Sequence, residues 1–174
     1  VSPEFKAAGH YVVLLEPEYN ENNLPDPESL KKNFALVTDL LREKKAVAAY
    51  TPVYGGVAEG VLKMCLGNKI GFAFDGGVSM KTVFGYSYGS FILELATKEK
   101  VGMLLGMTTK KEQISYGKEK VPLKQLTEIY ENKLEPVYHC NIEAKKGKVP
   151  AYTYKHKFTG ESGQKRAKPK ALIP

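Results

Sequence analysis

The pair Gly55-Gly56 is where backbone chemistry in this sequence could hold an anion. It follows a short apolar run, Ala46-Val47-Ala48-Ala49-Tyr50, which reads as a buried strand, and the turn Thr51-Pro52-Val53-Tyr54. Pro52 enforces that turn, because it has no N–H for a ladder and fixes its own φ. After the glycines, Val57, Ala58, Val61, Leu62 and Cys65 recur at helical spacing. Two glycines where a strand feeds a helix let the backbone and the unpaired helix N–H groups approach a phosphate. The same pair can serve only to let helix and strand pack closely, and spacing alone favours that simpler use. The candidate binding residues read from this spacing are Gly55 and Gly56.

Other reactive side chains form no constellation. His10, His139 and His156 are far apart, and none stands at metal-ligand spacing from a Cys or carboxylate. His139-Cys140 puts a base beside a thiol, but neighbours on an extended chain point apart and no third group orients them. Glu16 with Glu18, and Asp26 with Glu28, read as a loop and a helix start rather than a catalytic pair. The sequence contains no Gly-x-Ser-x-Gly elbow, Walker lysine or His-Glu-x-x-His. We expect no catalytic residues and no metal site in the chain by itself.

The elements that must position the glycine turn follow from periodicity. His10–Glu16 is a continuous apolar strand, buried on both faces. Asp26-Pro27 gives an N-cap acid followed by proline at the first helical position. The helix over 28–44 carries Leu30, Phe34, Val37, Leu40 and Leu41 as one stripe, with Lys31, Lys32, Asp39, Arg42 and Glu43 turned to water. The helix over 56–66 should stop at Gly67-Asn68, both residue types that accept a left-handed cap. Strands are expected near 11–15, 46–50, 69–74, 90–95 and 103–108, the last two close enough to pair antiparallel. Val78–Gly89 reads as a loop, residues 113–121 as a hairpin around Gly117-Lys118-Glu119, and Leu123–Asn132 as a helix with Leu123, Leu126, Ile129 and Tyr130 as its stripe. The class is α+β: a mixed sheet with helices packed on at least one face.

Composition is ordinary for a globular chain of 174 residues, with 43% hydrophobic and 26% charged side chains. No apolar run reaches the roughly 20 residues of a membrane span, so no membrane partner is expected. The opening Val1-Ser2-Pro3-Glu4-Phe5 has neither an initiator Met nor a signal pattern and reads as a cut inside a longer chain. Two cysteines, one of them on an apolar helical stripe, suit a reducing, cytoplasmic setting. The net charge of +7 is localised: residues 141–174 hold nine Lys and Arg against two acids, and residues 1–140 hold seventeen of each sign. A basic arm can bind nucleic acid by releasing counterions. This one contains no base-reading module, and a solvated linker or a segment packed on an acidic surface is the preferred reading. Alternation in Tyr152-Thr153-Tyr154-Lys155-His156 leaves an edge strand open there.

The order of these elements around YTPVYGGVAEGVLKMCLGNKIGF resembles the C-terminal half-domain of the family of aminoimidazole ribonucleotide synthetase and phosphoribosylformylglycinamidine synthase. It is closer to the second enzyme in its large single-chain form. Tyr88–Leu95, Leu104–Thr109 and Val121–Leu126 extend the similarity, and Lys168–Pro174 resembles the first strand of a glutaminase domain, cut short. The resemblance implies a domain over 1–140 like the C-terminal domain of aminoimidazole ribonucleotide synthetase, a basic linker over 141–167 and the start of a glutaminase at 168–174. It implies a parent enzyme that uses ATP, Mg²⁺ and glutamine to make formylglycinamidine ribonucleotide in purine synthesis. Amide oxygen is activated by phosphoryl transfer, and ammonia from glutamine displaces the phosphate. The implied partners are the other domains of that chain, including the downstream glutaminase.

The departure from the family is at the turn. Many members read His-Asp-x-Ser-Asp-Gly-Gly there, the Asp holding magnesium and the Ser a nucleotide. Here Gly55 and Gly56 match, but Tyr50-Thr51-Pro52-Val53-Tyr54 precedes them. A hard cation wants carboxylate oxygen; Thr51 offers a neutral hydroxyl and Val53 no polar atom. The resemblance implies a structural, non-catalytic segment whose candidate binding residues, Thr51, Gly55 and Gly56, form a degenerate nucleotide turn with no cofactor bound to it alone. A nucleic-acid-binding or protein-interaction module using 141–174 is the alternative.

Overall fold

A computed structural model describes residues 1–140, 150–153 and 155. Val1–Cys140 and Asn141–Pro174 form separate units, and the fold below is that of the first. The expected linker and glutaminase-strand segments lie almost wholly outside the described residues. Ala151–Thr153 belong to no strand, and Tyr154 and His156 also lie outside the described residues.

The unit is α+β. Seven strands form one sheet in the order β2-β4-β1-β5-β3-β6-β7: β1 (Tyr11–Leu15), β2 (Ala46–Tyr50), β3 (Gly71–Phe74), β4 (Phe91–Leu95), β5 (Met103–Thr109), β6 (Gln113–Tyr116) and β7 (Glu119–Pro122). The β3–β6 pair is parallel and every other pair antiparallel, so the sheet is mixed. Four helices complete it: α1 (Pro27–Arg42), α2 (Gly56–Leu66), α3 (Met80–Phe84) and α4 (Leu123–Asn132).

Strand alternation builds two cores. Val12, Leu14, Ile92, Phe72 and Leu105 pack with Val57, Val61, Met64 and Cys65 of α2. Their neighbours in sequence, Val13, Leu15, Leu93 and Leu95, pack on the opposite face with Val37 and Leu40 of α1. Each fully buried Leu, Phe or Met side chain contributes about 1.5–3 kcal/mol. Both faces of β1 and β4 are therefore covered, as the unbroken apolar run in β1 requires. The cover on the α1 side stops at β1: Leu104, opposite Val13, and Met107, opposite Tyr11, are 40% and 38% exposed.

Asp26 caps α1, accepting the Ser29 N–H at 2.8 Å, with Pro27 at the first position. Several expectations need correction. Ala46–Tyr50, expected as a buried strand, lies at the sheet edge: β2 pairs to β4 alone, and Val47, Ala49 and Tyr50 are only partly buried. β4 and β5 do not pair with each other, because β1 lies between them. Residues 96–102 reach across one intervening strand, roughly 10 Å. Phe34 is not in the α1 stripe but 52% exposed, edge-on to Phe91. Asn33 takes the buried position because its Nδ2 donates to the Glu16 carbonyl at 3.0 Å. Past α2, Gly67 stays right-handed and Lys69 takes the left-handed conformation, φ +54°. Val78–Gly89 contains the unexpected α3, capped by Ser79, whose Oγ accepts the Thr82 N–H. Only the first turn of α4 reaches the core; Ile129 and Tyr130 are exposed.

Candidate functional site

β2 ends at Tyr50 and delivers Thr51–Gly55 to the start of α2, so the strand–glycine–helix bend forms as its sequence requires. The Gly56 N–H donates to the Val53 carbonyl at 2.9 Å, which closes the turn. Gly56 has φ +67°, and a Cβ there would meet the Gly85 carbonyl oxygen at 2.6 Å. Both the dihedral and the close approach to α3 demand glycine.

Gly55 is the N-cap of α2 and has no side chain with which to cap it. Glu59 supplies the anion instead. Its Oε2 accepts the Gly55 N–H at 2.7 Å, and its Oε1 lies 2.6 Å from Lys63 Nζ. This is a capping box closed from one position further along the helix. The hydrogen bond from Lys63, helped by that from the Gly55 amide, holds the Glu59 carboxyl below its ordinary range. Glu59 in turn raises Lys63. The amide of the candidate phosphate turn is thus engaged by the chain's own carboxylate.

Of the three candidate residues, Gly55 and Gly56 shape the bend, while Thr51 is exposed on its outer side. Pro52 is buried, and Val53 and Tyr54 face solvent, Tyr54 at 80% exposure. Tyr54 contacts Tyr86 at 6.2 Å between ring centroids, and Tyr86 stacks on Tyr88 at 5.7 Å and 10°. The Tyr19 hydroxyl donates to the Tyr88 carbonyl at 3.0 Å. Beside the turn runs an apolar groove of about 450 Å³, lined by Ala58 and Leu62 of α2, Met80 and Phe84 of α3, and Phe74 of β3. The carboxylates of Glu59 and Glu119 stand among its lining residues. Such a groove suits apolar contact.

Sequence reasoning missed Glu59, Tyr86 and the α3 residues. Glu59 was accessible in principle: an acid in the first turn of a helix, four residues before a lysine, is a local signal. Tyr86 and Tyr88 join the turn only through the tertiary fold. It also missed a partner for His10, whose Nδ1 lies 2.8 Å from Glu94 Oε1. Among the described residues no group of three His, Cys, Asp or Glu side chains could hold a metal, and no helix is long and apolar enough to cross a membrane. His139 and Cys140 are exposed.

No family model matches the sequence, and no curated protein matches it. Solved structures do match the fold. Phosphoribosylformylglycinamidine synthase II from Thermotoga maritima superposes with TM-score 0.61 and 12% identity, over 88% of this chain and 30% of that one. T. maritima PurL complexed with AMPPCP gives 0.62 and 12%, over 90% and 31%. PurLQS from the same organism gives 0.60 and 11%, over 88% and 30%. The chain therefore spans about a third of the length of these structures and shares the fold of that part.

Proposed function

We propose that the chain is a structural segment of a phosphoribosylformylglycinamidine synthase, an ATP- and glutamine-dependent ligase of purine synthesis, and corresponds to a half-domain that is inactive alone. In this reading the parent protein is cytoplasmic and uses ATP and Mg²⁺. The segment packs against other domains of the parent, including a downstream glutaminase. The likeness of the fold to the T. maritima enzyme, TM-score 0.61 over 88% of this chain, carries the reading. The motif around Gly55-Gly56 and the Tyr88–Leu95 and Leu104–Thr109 stretches support it from the sequence side.

The turn at 51–56 is then a nucleotide turn that has lost its ligand. Its residues do not fit a magnesium–phosphate group: Thr51 is neutral, Val53 has no donor, and the Gly55 amide already serves Glu59. The exposed Val53, Tyr54 and Tyr86 suit packing against a neighbouring domain of the parent.

Two measurements test this. Full-length parent protein should convert formylglycinamide ribonucleotide with consumption of ATP and glutamine, and absence of that activity would remove the enzyme assignment. A structure of the same protein soaked with ATP–Mg²⁺ should place nothing on the turn. A phosphate or magnesium at bonding distance from Thr51 or the Gly55 and Gly56 amides would overturn the loss of function there.

A further inference from the structure

Glu94 lies in the middle of the sheet, on the α2 face opposite Val12 and Ala48, and is fully buried. A carboxylate there is stable only if its oxygens are satisfied. Two backbone donors of one short stretch and the ring of His10, just beyond them, satisfy it. Oε2 accepts the Lys6 N–H at 2.8 Å, Oε1 accepts the Ala7 N–H at 3.2 Å, and His10 Nδ1 lies 2.8 Å from Oε1.

The same stretch is tied down elsewhere. Phe5 is fully buried and stacks on Phe72 at 5.8 Å and 14°. Its N–H donates to the Met64 carbonyl at 2.8 Å and its carbonyl accepts from Asn68 Nδ2 at 2.8 Å. The Thr108 hydroxyl donates to the Ala7 carbonyl at 2.7 Å and accepts the His10 N–H at 2.9 Å. Between these anchors, Gly9 sits in the left-handed region, φ +92°, at a tight turn just before β1.

We propose that residues 2–8 are a hinged strap that opens and closes as one unit on an intact sheet, with Gly9 as hinge, Phe5 as plug and Glu94 as latch. The all-or-none character comes from the carboxylate. If Lys6 alone lifts away, Glu94 keeps its burial and loses a charge-assisted bond, which is the costly state. Partial detachment is therefore penalised, and the populated states are the latched strap and the strap released with water admitted to Glu94. Strap bonds run to side chains and single carbonyls rather than to a strand ladder, so they can open below the free energy of global unfolding. Latched, the strap covers Phe72 and the last turn of α2. This inference stands independently of the enzyme proposed above.

Amide hydrogen exchange by NMR on the whole 174-residue chain tests it. Phe5, Lys6 and Ala7 should share one opening free energy, lower than that of the β1 and β4 ladder amides. Exchange of all three at the ladder rate would overturn the strap, because it would then open only by global unfolding. Exchange of the three at widely different rates would overturn the single unit. Glu94→Gln, which keeps one acceptor oxygen, should speed exchange of Lys6 and Ala7 roughly 10- to 100-fold and the ladder amides far less. An equal effect on both sets counts against the latch. His10→Gln leaves both backbone donors on Glu94 and should have the smaller effect; an effect as large as that of Glu94→Gln would overturn the assignment of the latch to the strap backbone.

Discussion

The Gly55 N–H and the Glu59 Oε2 are 2.7 Å apart, so the start of α2 is closed by a carboxylate four residues along the same chain. A helix N-terminus with two glycines is an anion seat by its electrostatics. Here the seat is filled from within, and Lys63 balances the charge that fills it.

Replacing Glu59 by Ala should therefore destabilise the unit by about 1 kcal/mol, the loss of a capping interaction. Differential scanning calorimetry should show the melting temperature fall by roughly 2–4 °C for a chain of this size. An unchanged melting temperature would mean that the pair is not formed in solution.

The pH dependence of that pair has a definite sign. Glu59 is lowered when folded, so its contribution is present above the ordinary value of 4.5 and is lost as pH falls through the lowered one. Lys63 is raised from 10.5, so its contribution is complete below that value and is lost as pH rises through the raised one. Urea midpoints measured from pH 2 to 6 should fall less steeply towards acid in Glu59→Gln than in the native sequence. Parallel curves would show that other carboxylates set the acid limb.

The two glycines should respond differently to alanine. Gly56→Ala forces a Cβ into the left-handed region and against the Gly85 carbonyl, a backbone atom that cannot swing aside. A loss of about 2 kcal/mol or more is expected. Gly55 has φ −82°, which alanine adopts without strain, but its added Cβ would displace the Glu59 carboxylate from the Gly55 amide and meet the backbone-fixed Glu59 Cβ at 2.5 Å, so the turn must shift slightly. Gly55→Ala should cost less than Gly56→Ala and resemble Glu59→Gln in its pH profile. Urea denaturation of the two variants separates them.

The cysteines should label in two steps. Cys65 is buried, and burial pushes its thiol up to about 12, whereas Cys140 is exposed. A chromogenic disulfide reagent at neutral pH should modify one thiol per chain quickly and the second only with denaturant. Two fast thiols would show that α2 leaves the sheet readily.

Aromatic residues on the two sides of α3 should separate stability from docking. Phe72→Ala removes a fully buried ring that stacks on Phe5 and meets Phe74 edge to face, and should cost about 3–5 kcal/mol. Tyr86→Ala, 67% exposed, should cost less than about 1 kcal/mol because its contacts are two neighbouring surface rings. Thermal melts of the two variants check this directly.

The sequence by itself determined the strands and three of the four helices of the unit, α3 being the exception, because periodicity, caps and turn residues act over a few neighbours. Asp26-Pro27 starts α1, Gly117-Lys118 turns β6 into β7, and the unbroken apolar run of β1 marks a strand covered on both faces. It also determined the bend at Gly55-Gly56 and the absence of a carboxylate from the five residues before it, 50–54. Tertiary structure alone decided strand order, since β1 enters between β4 and β5 through ladder bonds that link residues about 80 to 95 apart in sequence. The same long-range closure turned Phe34 outward and Asn33 inward, and stacked Tyr54, Tyr86 and Tyr88 beside the turn. It also brought His10, Lys6 and Ala7 onto Glu94, a contact that no local pattern encodes, because a buried carboxylate takes its donors from whatever backbone the fold carries past it.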